Sequence, residues 1–210
     1  YSYIRSGMAK RCLIIGAETL SRVVDVYDRD TMIFSDGAGA VILEARESDT
    51  QHGILSSAAV THSMDEIHYL NMGKSNIPGS DPRVRYIKMN GRRVYEYAVM
   101  NVPQAMKAAL DKSNIPATDL DKILIHQANE KMDEAIVKRF FKLCGINKEI
   151  AEMMPMNIRE LGNSSVATVP TLYDMVLKGK IPGHKITEGD LLIFASVGAG
   201  MNINALVYRQ

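Results

Sequence analysis

The sequence predicts an α/β protein built in packed layers. Short apolar runs that read as strands alternate with longer stretches of helical periodicity. The runs themselves are apolar nearly throughout rather than alternating, as in Leu191 to Ser196. That is the pattern of strands covered on both faces. With 210 residues, of which 46% are hydrophobic, the chain can build one large domain or two small ones.

The elements follow in order. Tyr1 to Ser6 reads as the end of a helix stopped by Gly7. Cys12 to Glu18 is a buried strand. Ser35-Asp36-Gly37-Ala38-Gly39-Ala40 is a small-residue turn leading into a second buried strand, Ala40 to Glu44. Residues 46–82 are polar and carry Gly53, Gly73, Pro78, Gly79 and Pro82; they predict one strand followed by loops. The texture changes near Arg83. Val94 to Ser113 is helical, with Pro103 expected to kink it or mark a boundary. Ile123-Leu124-Ile125 is a short strand. Asn129 then caps a helix whose Met132, Ala135, Ile136, Phe140 and Leu143 share one face, and Gly145 stops it. A loop through Pro155 leads to Gly162-Asn163-Ser164-Ser165 and a helix from Val166 to Lys178. Leu191 to Ser196 is a strand, Val197 to Gly200 a turn, and Asn202 to Tyr208 the last strand.

Several function classes are disfavoured. A net charge of +1 gives no broad nucleic-acid footprint. No run approaches the roughly 18 apolar residues of a membrane span. Two cysteines, Cys12 and Cys144, do not make a disulfide framework and suit the cytoplasm; both read as packing residues. The start at Tyr1 is not followed by a leader pattern. His52, His62, His68, His126 and His184 lack metal-ligand spacing, and no metal is expected.

Candidate chemistry is thin when each motif is read alone. His126 follows an apolar strand at the mouth of a helix, where α/β proteins place functional groups, but a structural histidine fits as well. Gly162-Asn163-Ser164-Ser165 is most simply a turn and a helix cap. Val197-Gly198-Ala199-Gly200 is a hairpin, or a turn offering N–H groups to an oxyanion. Asp36-Gly37-Ala38-Gly39-Ala40 lacks the lysine and hydroxyl of a phosphate loop, so close backbone packing is the simpler reason for its small residues.

In order along the chain the motifs say more. Gly16-Ala17-Glu18 with Ser21-Arg22, Asp28-Arg29, Phe34 to Ala40, His126-Gln127-Ala128-Asn129, Gly162-Asn163-Ser164-Ser165 and Gly198-Ala199-Gly200 together resemble the β-ketoacyl-acyl-carrier-protein synthase III family of the thiolase-like superfamily. The resemblance runs over essentially the whole chain, most weakly between residues 46 and 82.

It implies a thiolase-like α-β-α-β-α fold, with residues 1–82 the tail of a first half and 83–210 the second half, usually in a homodimer. It implies a decarboxylative condensation of acyl-CoA with malonyl-carrier protein in fatty-acid initiation, without a bound cofactor. By the same resemblance His126 and Asn163 are catalytic, the Ala199 N–H belongs to the oxyanion hole and Asn129 supports the histidine. Arg29 contacts CoA, and Phe34 and Val197 border the acyl pocket, Val197 standing where the family often has an aromatic. Lys131, Lys138 and Arg139, with Lys142, face an acidic carrier protein or are simply a solvated helix face.

The family's cysteine nucleophile matches neither Cys12 nor Cys144 and is expected upstream of Tyr1, which makes the chain a fragment inactive by itself. Lys148 to Met156 reads as an insertion. Two other functions remain open: a related synthase for polyketides or specialised lipids, and a non-catalytic thiolase-like partner subunit.

Overall fold

The computed structural model describes residues 1–210. A short helix α1 (Ser2–Arg5) precedes strand β1 (Arg11–Thr19), which pairs antiparallel with β2 (Asp36–Glu44), Gly16 facing Gly39. Then come β3 (Gly53–Thr61), the small hairpin of β4 (Leu70–Gly73) and β5 (Tyr86–Met89), and the long helix α2 (Gly91–Ser113). Strand β6 (Lys122–Ile125) leads to helix α3 (Glu130–Cys144), the single-turn helices α4 (Ile150–Met153) and α5 (Ile158–Leu161), and helix α6 (Thr168–Leu177). Strands β7 (Leu191–Gly198) and β8 (Asn202–Arg209) close the chain.

The main sheet has the order β3-β8-β7-β6, with β6 parallel to β7 and the other pairs antiparallel. Its main core lies against α2 and α3, where Met106, Ile136, Phe140, Ile123 and Ile193 are sealed from solvent. A smaller core on the opposite face joins Leu124 and Leu192 to Leu172 and Val176 of α6. Fully burying each such side chain contributes about 1.5–3 kcal/mol. Beyond α6 lies the β1–β2 pair, giving four successive layers, α-β-α-β.

The small residues of β1 and β2 make the last contact possible. A Cβ on Gly16 would lie 2.7 Å from the Val166 carbonyl oxygen, and one on Gly39 would lie 2.6 Å from the Pro170 ring. Close packing is therefore the reason for these small residues, as the sequence suggested. The local conformation differs from the expected turn: Asp36 to Ala40 are already strand, registered against Thr19 to Ile15. The outward face also departs from expectation. Leu13, Ile15 and Ile42 are 63–70% exposed, because within these residues nothing packs on that side of the pair.

Other differences have local causes. Helix α2 begins earlier than its apolar periodicity, since the Asn90 side chain caps it by accepting from the Arg93 N–H. It runs unbroken through Pro103. A mid-helix proline costs about 3 kcal/mol, here offset by packing of a buried face that includes Pro103 itself. The 46–82 segment holds two strands rather than one, and β3 joins the main sheet beside β8. A strand assigned by sequence to the 1–82 half thus lies in the same sheet as β6–β8. The loop expected through Pro155 contains α4 and α5. Strand β7 continues through Val197 to Gly198, so the turn shifts to Ala199–Met201, with Gly200 left-handed at φ 73°.

Asp25 is buried and holds the hairpin to the rest of the chain. Lys88 on β5 donates to Asp25 at 2.7 Å, to Asp28 at 2.8 Å and to the Asn76 side-chain Oδ1 at 2.8 Å. These bonds fix the loop that carries Arg29. No helix is long and apolar enough to cross a membrane.

Candidate active site

His126 sits where β6 ends, its N–H donating to the Ala195 carbonyl of β7 at 2.8 Å. Gln127 explains how the chain leaves the strand. It is fully buried, donates to the Ile125 carbonyl at 3.0 Å and accepts the Asn157 N–H at 3.0 Å, so it ties β6 to the segment leading to Asn163. Asn129 caps α3 by accepting from the Met132 N–H at 3.2 Å. Burial pushes the His126 imidazole down to about 4, so the ring is neutral near pH 7.

Asn163 is held by its backbone and by its side chain. Its N–H donates to the Ile33 carbonyl at 2.8 Å, and its carbonyl accepts from the Ser35 N–H at 3.0 Å, a short parallel bridge beside Phe34. Gly162 makes that approach possible: it is left-handed at φ 67°, and a Cβ there would press on Ile33 and Ser35 at 3.1 Å. The Asn163 Oδ1 accepts the Ser165 N–H at 2.9 Å. That bond fixes the orientation of the amide, committing the oxygen to the backbone and leaving the NH₂ as the group with donors to offer.

His126 and Asn163 line the same two cavities. One is a channel of 330 Å³ that runs past Phe34, Val197, Ala128 and Asn129 to Arg29, Gly91 and Tyr95 at the start of α2. The other is a cleft of 850 Å³ on the far side, bounded by Leu70, Ile87, Ser196 and Ala199. Phe34, Leu70, Val197 and Gly198 border both.

The structure thus gathers His126, Asn163, Asn129, Arg29, Phe34 and Val197 at one channel, and places Ala199 on the adjoining cleft. The Arg29 side chain is almost fully exposed and lies 3.9 Å from Asp30. Lys131 and Lys138 are exposed on α3, away from both cavities; Arg139 is half-buried and its Nε is sealed without a partner. Lys138 and Lys142 border a separate groove in which Glu130 and Glu134 intervene. Cys12 and Cys144 are free thiols that line neither cavity, and burial raises the Cys144 thiol.

Sequence reasoning quoted Gln127 and Ser165 as parts of its motifs without giving them a role, and missed Thr168; their roles come from hydrogen bonds across the fold. The one sequence signal was their adjacency to His126 and Asn163.

A layered α/β fold that brings a neutral imidazole and an oriented carboxamide to one cavity is that of a thiolase-like protein. Residues 1–63 match the family model described as 3-Oxoacyl-[acyl-carrier-protein (ACP)] synthase III, and residues 110–210 match the model of its C terminal part. The chain is 35% identical over 211 residues to the Beta-ketoacyl-[acyl-carrier-protein] synthase III of Erythrobacter litoralis, covering 99% of this chain and 61% of that one. The solved 3-oxoacyl-[acyl-carrier-protein] synthase III of Aquifex aeolicus superposes with a TM-score of 0.81 at 30% identity, over 100% of this chain and 61% of that one. A priming beta-ketosynthase from a polyketide biosynthetic pathway superposes with a TM-score of 0.80 at 26% identity, over 99% of this chain and 59% of that one.

The chain belongs to the 3-oxoacyl-acyl-carrier-protein synthase III family. It spans about three fifths of the length of the relatives it matches.

Proposed function

We propose that these residues form the decarboxylating side of the active site of a 3-oxoacyl-acyl-carrier-protein synthase III, which joins an acyl group from acyl-CoA to malonyl-carrier protein in fatty-acid initiation. The observation that carries this is the convergence of His126 and Asn163, a neutral ring and an amide with its NH₂ uncommitted, on the same two adjoining cavities. When the malonyl thioester loses carbon dioxide, its electron pair moves onto the thioester oxygen as an enolate. Two preorganised N–H donors at the cavity wall stabilise that oxygen, and losing one such donor costs about 10²–10³ in rate. The enolate carbon then attacks the acyl-enzyme carbonyl, whose oxyanion the Ala199 N–H helps to hold, and the enzyme thiolate leaves.

In this reading the thiolate comes from the stretch of the relatives outside the matched three fifths. The substrate arm occupies the channel, Arg29 meets the nucleotide end of CoA, and Phe34 and Val197 border the acyl group. Asn129 keeps the histidine segment in place by capping α3. Lys131, Lys138 and Arg139 favour an acidic carrier protein, the protein pairs as a homodimer, and free thiols suit the cytoplasm.

The test uses the complete gene product with acetyl-CoA and longer acyl-CoAs, locating any acyl thioester by peptide mass spectrometry, and then measures release of carbon dioxide from malonyl-carrier protein. Asn163→Leu is expected to slow that release about 10²–10³-fold. An intact gene product that takes no acyl group, or an Asn163→Leu variant that decarboxylates at the native rate, overturns the proposal. The likeness to the priming beta-ketosynthase favours one second reading, a synthase that serves a polyketide carrier protein. A preference for that carrier over the fatty-acid one would decide for it.

A further inference from the structure

The turn Ala199–Met201 joins β7 to β8 and forms part of both cavity walls: Ala199 lines the cleft and Met201 the channel. Two successive residues of it are left-handed, Gly200 at φ 73° and Met201 at φ 50°. Glycine takes such an angle freely, but in methionine the Cβ crowds the following carbonyl. The turn must therefore be held from outside, and the Met201 carbonyl is where it is held. That oxygen accepts the Tyr97 hydroxyl of α2 at 2.9 Å and the His62 backbone N–H at 3.3 Å. Tyr97 is itself fixed. It is buried in the main core, and its oxygen lies 2.6 Å from Nδ1 of His62, whose ring stands nearly perpendicular to it at 5.6 Å. A phenol has one proton, and a carbonyl can only accept. With that proton on the Met201 oxygen, His62 Nδ1 carries a hydrogen and donates it to Tyr97. Burial, with Glu66 nearby, raises the Tyr97 phenol above its ordinary value, so the hydroxyl keeps the proton it donates.

We propose that Tyr97 is a positioning residue for the oxyanion turn: its hydroxyl pins the Met201 carbonyl, keeps Met201 left-handed and so fixes the direction of the Ala199 N–H beside the cleft. A Met201 that relaxed to an ordinary angle would swing its carbonyl away, and the Tyr97 bond opposes that. Gly198 and Asn202 are paired as strand residues on either side, so the change would be absorbed by Ala199 and Gly200. Neither Tyr97 nor His62 lines the cleft or the channel, so the effect reaches the site only through the turn. It also reaches one step selectively. When the enzyme thiolate adds to the acyl-CoA carbonyl, the carbonyl electron pair moves onto oxygen, the Ala199 N–H helps to hold that charge, and the pair returns as the CoA thiolate leaves. The malonyl enolate instead meets His126 and Asn163, which other bonds orient. The consequence for catalysis rests on the condensing-enzyme reading above; the hold of Tyr97 on the turn does not.

The experiment compares the complete gene product with its Tyr97→Phe variant, which deletes the hydroxyl and keeps the ring. Amide NMR with hydrogen exchange at Ala199 to Asn202 tests the hold on the turn, whatever the protein catalyses. These amides are expected to shift and to exchange faster in Tyr97→Phe, while those of His126 and Asn163 stay as in the native protein. Turn amides indistinguishable from native overturn the proposal. Rapid-quench rates then separate the steps. Acyl transfer from acetyl-CoA should slow about tenfold, less than the roughly 10²–10³ of an oxyanion donor lost outright, with carbon dioxide release from malonyl-carrier protein near native. Equal slowing of both steps would mean that Tyr97 only stabilises the fold, and native acyl transfer on a disturbed turn would mean that the step does not depend on it; either overturns the positioning role. Should Tyr97→Phe not fold, His62→Ala removes, at an exposed position, the ring that steadies the hydroxyl. It should shift the same amides and slow the same step by less, and native values for both overturn the proposal. A native product that takes no acyl group defeats the condensing-enzyme reading and leaves the amides to decide the hold of Tyr97.

Discussion

Asp133 lies on the first full turn of α3 with no exposed surface, and neither carboxylate oxygen has a hydrogen-bond partner. It shares the buried face of the helix with Met132 and Ile136. Burial raises its carboxyl well above the usual aspartate range; the Ala128 and Asn129 amides pull the other way more weakly, without reaching bonding geometry. In Asp133→Leu, leucine keeps the branched skeleton of aspartate, but each methyl is bulkier than the oxygen it replaces, and the crowding costs about 1 kcal/mol. The substitution removes an unsatisfied polar group, worth about 1–3 kcal/mol, and buries two methyl groups, worth about 0.8 kcal/mol each. It forfeits about 0.3–1 kcal/mol of favourable charge near a helix N-terminus. The net expectation is a stabilisation of about 1–3 kcal/mol. Urea unfolding with an unchanged slope would measure it.

The sign of the pH dependence follows from the raised carboxyl. The folded state holds this proton more tightly than the unfolded one, so the contribution of Asp133 is most favourable below the ordinary aspartate value of 3.8 and declines as pH rises toward the folded value. The stability gap between Asp133→Asn and the native chain should therefore widen from mildly acidic to neutral pH. A constant gap, or an Asp133→Leu protein less stable than native, would show that the carboxylate is satisfied and the reasoning wrong.

Three further outcomes follow. Gly37→Ala places a Cβ 2.8 Å from the Ser164 side chain, next to Asn163, and should cost about 1–3 kcal/mol with a loss of decarboxylation, read by thermal melting and by rate. Lys88→Met strands two carboxylates, one of them buried, and should destabilise by about 3–5 kcal/mol in urea. Because Lys88 and neighbouring donors outweigh burial and hold Asp25 well below the usual range and Asp28 below it, their contribution is present above about pH 4 and fades as pH falls through the lowered values; the variant should be less acid-sensitive than native. Gln127→Ala leaves the Asn157 N–H unpaired in the interior and should cost about 1–3 kcal/mol, with hydrogen exchange at Asn157 accelerated.

The ends of helix α3 were readable to the residue, because they are written locally: Asn129 caps and Gly145 takes the left-handed close at φ 67°; of its expected face Met132, Ile136 and Phe140 are buried, while Leu143 is exposed and Val137 and Phe141 are buried in addition. The β1–β2 pair was half readable. Its apolar residues announced strands, but whether a strand is covered depends on partners elsewhere, and Leu13 and Ile42 turned out bare. The glycines misled about conformation while pointing to the right cause. A run of small residues reads as a turn, yet here it is a strand flattened for a helix that arrives more than a hundred residues later. His126 and Asn163 were singled out by resemblance alone; their surroundings were invisible, because Ser165 and Thr168 act through bonds that only the folded turn creates.

On the proposed function, that turn makes the glycines matter to chemistry as well as to packing. Ser164 to Thr168 presses on Gly16 and Gly37 through Val166 and Ser164, and Pro170 on the next turn meets Gly39. The turn itself carries the strain, with Ser165 left-handed at φ 53°. On its other side it fixes the amide of Asn163 and holds Nδ1 of His126. Strand packing, backbone strain and the orientation of both donors are therefore one mechanical unit. A Cβ added at Gly37 should disturb both donors together rather than Asn163 alone. Combining Gly37→Ala with Asn163→Leu should then cost less in decarboxylation rate than the product of the single effects, since part of what Asn163 supplied is already lost. Independent, multiplicative losses would mean that the glycine stripe merely packs, and that the two donors are oriented by something other than this turn.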